Sequence, residues 1–292
     1  MSTTRTAIEQ LVCEAGRKEA CAWKSLGRGV GGSTWRVSCG DAAWFVKTAQ
    51  DARDLFDAEA DGLKALAERK AIRVPRLLAA GEQGGDAFLV LEWLSLGQKT
   101  GAAAAKLGGQ LARQHQCLGQ HFGWRQNNFI GATPQFNTPE KDWVKFFREH
   151  RLGFQFRLAA ENGYRGTLQE QGVRLLEVLP AFYSSYTPQP SLLHGDLWGG
   201  NWGVLETGEP VIFDPAVYYG DREADIAMTE LFGGFGQEFY SAYNAAWLLD
   251  SGYKIRRDLH SLYHVLNHLN LFGGGYLRQA QGLITRLLAE VH

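Results

Sequence analysis

The chain predicts an α+β protein of two lobes. A small antiparallel-sheet lobe with one helix spans residues 1–95, and a larger, mainly helical lobe spans 96–292. Three observations lead there. Up to Glu92-Trp93-Leu94, short apolar runs alternate with Gly- and Pro-bearing turns around a single helical pattern. From Thr100 onward the apolar period is helical almost throughout. No Pro/Ser-rich linker marks the boundary near Leu94–Gly97, so a short hinge between packed lobes fits better than two independent domains.

Taken in order, residues 4–18 carry Ile8, Leu11, Val12 and Ala15 at helical spacing. Trp23 to Leu26, Ser33 to Cys39 and Ala42 to Thr48 read as short strands, the last two joined by a Gly40-Asp41 turn. Asp51 to Lys70 is a helix with acid in its first turn and base in its last, complementing the helix dipole. Arg76 to Ala80 and Ala87 to Trp93 add two strands around Gly-Gly. Helices are expected over 100–120, 140–161, 166–184, 222–232, 236–250, 256–273 and 275–291. The exceptions are a loop from Phe122 to Pro139 and the region 191–220, which holds two acidic loops and a hairpin turned by Glu206-Thr207-Gly208-Glu209.

Composition narrows the function. With 30 Lys and Arg against 31 Asp and Glu, the chain offers no electrostatic footprint for nucleic acid or an anionic membrane. No window approaches the ~18 apolar residues of a membrane span, and the first residues do not form a signal peptide. The four cysteines, Cys13, Cys21, Cys39 and Cys117, show no C-x-x-C spacing. That pattern argues against a disulfide framework or a zinc site and fits a reducing cytoplasm. Nine Trp and ten Tyr are many for this length; most are expected in core or lobe-interface packing, and a sugar- or ring-binding cleft would also use some.

The chemistry concentrates in Leu193-His194-Gly195-Asp196-Leu197-Trp198-Gly199-Gly200-Asn201 and, further on, Val211-Ile212-Phe213-Asp214-Pro215. Two carboxylates and an amide on two short loops, each entered from an apolar run, suit phosphoryl transfer. Asp196 can deprotonate a hydroxyl while Asn201 and Asp214 hold magnesium against a nucleotide triphosphate. These are hard oxygen ligands, which magnesium prefers. Trp198 is placed either to stack on a sugar or to pack beneath the loop, and His194 and Asp225 to brace it. Asp221 and Glu223 fit either a bracing role or a solvated first helical turn.

Upstream, Gly27-Arg28-Gly29-Val30-Gly31-Gly32-Ser33 lies between two strands, and glycines let backbone N–H groups approach phosphate. A plain hairpin loop is the competing reading, and the missing G-K-[ST] speaks against a P-loop. Lys47 ends a strand. On helix 51–70, at about 100° per residue, Glu59 falls in the middle of the stripe formed by Leu55, Leu63 and Leu66. A carboxylate on a buried face needs a cation, and Lys47 is the candidate. Glu92 and Leu94 lie where backbone groups at the hinge can meet an adenine edge. His264, Asn267 and His268 share one face of a late helix, either as a cleft wall or as helix packing.

In this order the glycine loop, Lys47, Glu59, H-G-D-x-x-x-x-N and Asp214 resemble the protein-kinase-like fold. More narrowly, the sequence resembles the fructosamine kinase (ketosamine 3-kinase) family, relatives of the aminoglycoside phosphotransferases. The runs His194 to Asn201, Tyr219 to Met228, Phe232 to Phe235, Leu266 to Gly273 and Phe122 to Gly131 carry this resemblance, which spans roughly residues 20–280. It implies ATP- and magnesium-dependent phosphorylation of a ketosamine hydroxyl, typically at carbon 3, on a small molecule or a glycated protein lysine, with release of the amine. By motif, Asp196 is the base, Asn201 and Asp214 hold magnesium, and Lys47 and Glu59 pair over the phosphates. Gly29, Gly31, Gly32 and Ser33 cover the phosphates, and Trp198 and His268 face the substrate. Some relatives carry a redox-active cysteine in the glycine loop; Gly31-Gly32-Ser33-Thr34 here implies no such switch. A kinase for an aminoglycoside or choline remains the alternative, and a pseudokinase scaffold is disfavoured by retention of all the polar positions.

Overall fold

The computed structural model describes residues 3–15, 21–29 and 31–291. Residues 16–18 at the end of the first expected helix, and Val30 of the glycine-rich stretch, lie outside the described residues. Helix α1 (Thr3–Ala15) is followed by β1 (Cys21–Gly29), β2 (Gly32–Cys39), β3 (Ala42–Gln50), helix α2 (Arg53–Arg69), β4 (Leu77–Gln83) and β5 (Asp86–Glu92). The strands form one antiparallel sheet in the order β1-β2-β3-β5-β4. β1 runs further than expected, into the glycine-rich stretch, so Arg28 pairs with Ser33 and Gly29 with Gly32. The glycines are therefore the tip of a paired hairpin rather than a free loop.

Helix α2 buries Leu63 and Leu66 of the stripe that its spacing predicts, while Leu55 is half-buried at the cavity wall and Phe56 takes the buried place beside them. Phe56, Leu63 and Leu66 are each 1% exposed, and each buried side chain of this size stabilises by roughly 1.5–3 kcal/mol before entropy is counted. They belong to a core shared with Leu107 and Leu111 of α3 (Gly101–His115), Leu192 and Ile212. That common core joins the two lobes. It also sets the loop after Asp214 against α2 at Gly62, where an added Cβ would meet Pro215 and Val217 at 3.3 and 3.2 Å. Thr100 caps α3 by accepting from the Ala103 N–H at 3.2 Å.

Beyond α3 the expected helices are present but divided. The 140–161 segment is α4 (Trp143–Phe147), a π turn over Arg148–Leu152, and α5 (Gly153–Glu161). The expected loop 122–139 holds a small hairpin, β6 (Asn128–Ile130) with β7 (Thr133–Gln135). After α6 (Thr167–Val178), the acidic loops hang on four three-residue strands. These are β8 (Ser191–Leu193), β9 (Trp202–Val204), β10 (Pro210–Ile212) and β11 (Tyr218–Gly220), paired β8 with β11 and β9 with β10. Strands this short complete no recognisable period. Helices α7 (Glu223–Leu231), α8 (Gln237–Ala246), α9 (Tyr253–Phe272) and α10 (Leu277–Ala289) complete the fold. No described helix is long and apolar enough to cross a membrane.

One expectation is overturned. Cys21 and Cys39 form a disulfide, and the Cys13 sulfur lies 3.5 Å from that of Cys21. Cys21 and Cys39 are direct cross-strand partners at the open end of the β1–β2 hairpin. Their spacing along the chain says nothing of that register, so spacing rules for metal and disulfide motifs missed it. Closing a loop of 18 residues constrains the unfolded chain by about 3 kcal/mol in the chain-entropy treatment. Alkylation of the unfolded, unreduced protein is expected to trap two thiols, Cys13 and Cys117, and four after reduction. Four thiols before reduction would remove the cross-link.

Candidate active site

A cavity of 390 Å³ opens between the sheet and the acidic loops, lined by Gly29, Gly31, Gly32, Lys47, Glu59, Asp196, Trp198, Asn201 and Asp214. Nine of the expected site residues thus share one space, delivered by the hairpin tip, β3, α2 and the loops after β8 and β10. An adjoining apolar pocket of 240 Å³ is lined by Leu26, Phe45, Leu91, Glu92, Trp93 and Leu94, and touches Asp214. There the Glu92 carboxylate accepts from Arg73 and from the Arg76 N–H at 3.0 Å.

Lys47 sits between two carboxylates. Its Nζ lies 2.9 Å from both Glu59 oxygens and 2.8 Å from Asp214 Oδ1. Burial works against the ammonium, but the charges of Asp214 and Glu59 more than offset it and raise the lysine above its usual range. One positive charge cannot neutralise two carboxylates. Burial therefore pushes Glu59 up to about 7 despite Lys47. Asp214, whose side chain is 45% exposed toward the cavity, is held below its usual range by Lys47, against the effect of burial.

Asp196 is raised to about 7, first by burial and then by the Asp214 charge, while the Asn201 hydrogen bond pulls the other way. Asn201 Nδ2 donates to the Asp196 carbonyl at 2.9 Å and to Asp196 Oδ2 at 3.2 Å. The amide nitrogen being so used, the Asn201 oxygen is directed elsewhere, available to a cation. Asp196, Asn201 and Asp214 together present only hard oxygen donors, the set that suits magnesium.

The braces are polar and buried. Both loops meet at Gly195 (φ 83°), where an added Cβ would stand 2.0 Å from the Ala216 carbonyl. His194 joins them. Its Nδ1 accepts from the Asp196 N–H at 3.2 Å, so Nε2 carries the proton and donates to the Phe213 carbonyl at 3.0 Å. Burial lowers the His194 pKa, which keeps that neutral tautomer. Asp225 accepts from the N–H groups of His194 and Gly195 at 2.7 and 2.8 Å and meets His115 Nε2 at 3.1 Å. Burial opposes the Asp225 charge, and His115 and these bonds overcome it. His115, on a helix far from the motif, carried no sequence signal beyond being a buried histidine.

Four positions fall outside both spaces. Ser33 lines a separate groove on the other face of the hairpin, because strand residues alternate sides. His264 is buried and pushed down to about 3 by burial, and Asn267 bonds Gln155 and the Ile130 carbonyl, so both serve helix packing. His268 Nδ1 donates to the His264 carbonyl at 2.8 Å, with its ring among Phe232, Phe272 and Tyr276. Phe232, in ring contact with His268, precedes Gly233 and Gly234, which lie against Gly199 of the Trp198 loop. Trp198 is 41% exposed and lies over Gly200. Asp221 and Glu223 are fully buried, not a solvated turn; Glu223 pairs bidentately with Arg256 at 2.7 and 2.9 Å.

A model of the family described as fructosamine kinase matches residues 4–290. A protein named probable ketoamine kinase from Synechocystis sp. is 47% identical over 251 residues, covering 85% of this chain and 84% of its own length. A chloroplastic protein-ribulosamine 3-kinase of Arabidopsis thaliana is 41% identical over 246 residues, with 83% and 75% covered. A crystal structure assigned as a fructosamine-3-kinase of Haemophilus somnus superposes with a TM-score of 0.89 at 30% identity, covering 96% of both chains.

Replacing Lys47 by Met strands two carboxylates on a cavity wall. Breaking a buried pair in this way costs about 3 kcal/mol. The loss is expected as a lower denaturant midpoint, partly recovered in the Lys47→Met/Glu59→Gln double variant. An unchanged midpoint in the single variant would show that the pair is solvated.

Proposed function

This chain belongs to the fructosamine kinase family, and on that premise we propose that Asp196 is the base in ATP-dependent phosphorylation of a ketosamine at O3. Kinase activity toward ketosamines follows from the family. The position of the hydroxyl, the magnesium and the roles of individual residues are our reading. Its main support is one cavity that unites Lys47, Asp196, Asn201 and Asp214 beneath a glycine hairpin.

In this reading residues 1–95 are the nucleotide lobe and 96–292 the catalytic and acceptor lobe. The apolar pocket beside Leu94 takes the adenine, and the N–H groups at Gly29, Gly31 and Gly32 cover the phosphates. Lys47, aimed by Glu59, meets phosphate oxygens as a point charge. Asn201 through its amide oxygen and Asp214 through its carboxylate hold magnesium, which neutralises charge on the transferred phosphoryl group. With Asp196 Oδ2 engaged by Asn201, Oδ1 accepts the proton of the acceptor hydroxyl as the oxygen attacks phosphorus in line. Its raised pKa brings the base near the pH at which such a group works best. Trp198 supplies a ring face for the sugar, with Phe232 and His268 as the outer wall on that side. The acceptor is a free ketosamine or one borne on a protein lysine, and an ATP-consuming reaction fits a cytoplasmic location.

Asp196→Asn is expected to lower turnover by about 10²–10⁴-fold while an ATP analogue still binds, measured by coupled ADP release and by titration. Near-normal turnover would remove Asp196 as base. The base must be ionised, so kcat/KM for the acceptor is expected to fall as pH drops through about 7 and to level off above it. A flat profile from pH ~5 to ~8 contradicts the assignment. A panel of fructosamines, ribulosamines, aminoglycosides and choline separates the ketosamine reading from that of a general small-molecule kinase.

A further inference from the structure

The hairpin β6–β7, though absent from the chemistry above, touches the site. Asn128 lines the same cavity as Asp196 and Asp214. Behind it lies a buried chain of polar side chains: Asn128, Gln135, Asn137 and Arg151 are exposed by 4%, 1%, 1% and 0%. We propose that this chain is a positioning device. The Arg151 guanidinium polarises a one-way relay of amides that fixes the carbonyls behind Asp214 and so aims its carboxylate. The proposal rests on the reading of Asp214 as a magnesium ligand.

The direction of the relay is forced. A guanidinium only donates, and Arg151 Nη2 donates to Asn137 Oδ1 at 2.7 Å. Asn137 must then present Nδ2 onward, and it donates to Asn128 Oδ1 at 2.8 Å. Gln135 Nε2 donates to the same oxygen at 2.8 Å and to the Ala216 carbonyl at 3.2 Å. Its own oxygen accepts from the Tyr263 hydroxyl at 2.8 Å. With its oxygen doubly occupied, Asn128 turns Nδ2 to the Val217 carbonyl at 2.7 Å. No amide in the chain can flip without setting donor against donor or oxygen against oxygen, and a buried polar group so stranded costs about 1–3 kcal/mol.

Two further observations mark this as more than packing. Arg151 has no carboxylate within ion-pair distance among the described residues; its guanidinium lies over the rings of Tyr218 and Phe146, at 4.1 and 4.6 Å. Its Nη1 donates to the Phe136 and His150 carbonyls at 2.6 and 3.1 Å, and its Nη2 gives the amide chain a charged first donor, where low dielectric strengthens each link. It is delivered by the π turn Arg148–Leu152, a device found often at functional sites. At the other end, Asp214 has φ 56°. A non-glycine residue in the left-handed region persists when its surroundings over-determine it. Lys47 holds it at the side chain, and Asn128 and Gln135 hold the backbone that follows.

The test is Asn128→Asp, which keeps size and the oxygen that accepts from Gln135 and Asn137 but faces the Val217 carbonyl with a second oxygen. Outer-shell partners of metal ligands typically cost about 10–100-fold in metal affinity or activity. The magnesium midpoint of activation, at saturating ATP and corrected for folded fraction by circular dichroism, is expected to rise about tenfold, with metal-free nucleotide binding retained. Asn137→Asp, which satisfies Arg151 but removes the donor to Asn128, is expected to shift the midpoint the same way and guards against misfolding of the first variant. Wild-type midpoints in both variants, with activity following only the folded fraction, overturn the relay. Asp214→Asn is the control. If it is inactive at every magnesium concentration, the metal reading stands and wild-type midpoints overturn the relay alone. If it keeps wild-type activation, the metal reading itself fails and the relay with it.

Discussion

A single ammonium held between two carboxylates organises this molecule. Lys47 comes from β3, Glu59 from α2 and Asp214 from the loop after β10, and the three meet within hydrogen-bond distance. Each side chain alone is an expensive charge at a cavity wall. Together they tie sheet, helix and acidic loop to one point. The triad carries an excess negative charge, and Asp196 stands near enough to Asp214 to have its own ionisation opposed by it. Such a site suits a divalent cation, which in the proposed reaction would arrive with the nucleotide.

Apolar packing brings the loops together, and buried polar groups aim them. The shared core of Phe56, Leu63, Leu107, Leu192 and Ile212 brings α2, α3 and the strands of the acidic loops together. Non-directional burial cannot choose a rotamer or a carbonyl orientation. That choice falls to His194, whose single tautomer links the two loops, and to Asp225, which accepts two consecutive backbone N–H groups. Both are almost fully buried, where an unpaired polar group is costly and a paired one is specific. The amide relay from Arg151 treats the far side of the Asp214 loop in the same way. The site is thereby braced from the helical lobe on two sides and from the sheet on the third.

The features legible in the sequence share one property: each depends on neighbours a few positions away. The stripe Leu55-Leu63-Leu66 placed Glu59 on the buried face of α2 and so called for a cation. Apolar runs ending in Asp196 and Asp214 announced loops that present carboxylates. Longer helices declared themselves by period, and their family resemblance followed from the order of motifs. Features that were not legible depend on register or on distant partners. Cys21 meets Cys39 through strand pairing. His115 meets Asp225 across 110 residues. Ser33 turns away from the cavity because β2 alternates its faces, and His268 is set into an aromatic cluster by α9.

By itself, then, the amino-acid order determined which groups are candidates for the chemistry and on which kind of element each one rides, because helix and strand periods are local. Only the tertiary structure decided which of them share a cavity, how one lysine is divided between two acids, and which buried amide points at which carbonyl. Those outcomes depend on distances between segments far apart in the chain, and on the demand that every buried donor find an acceptor.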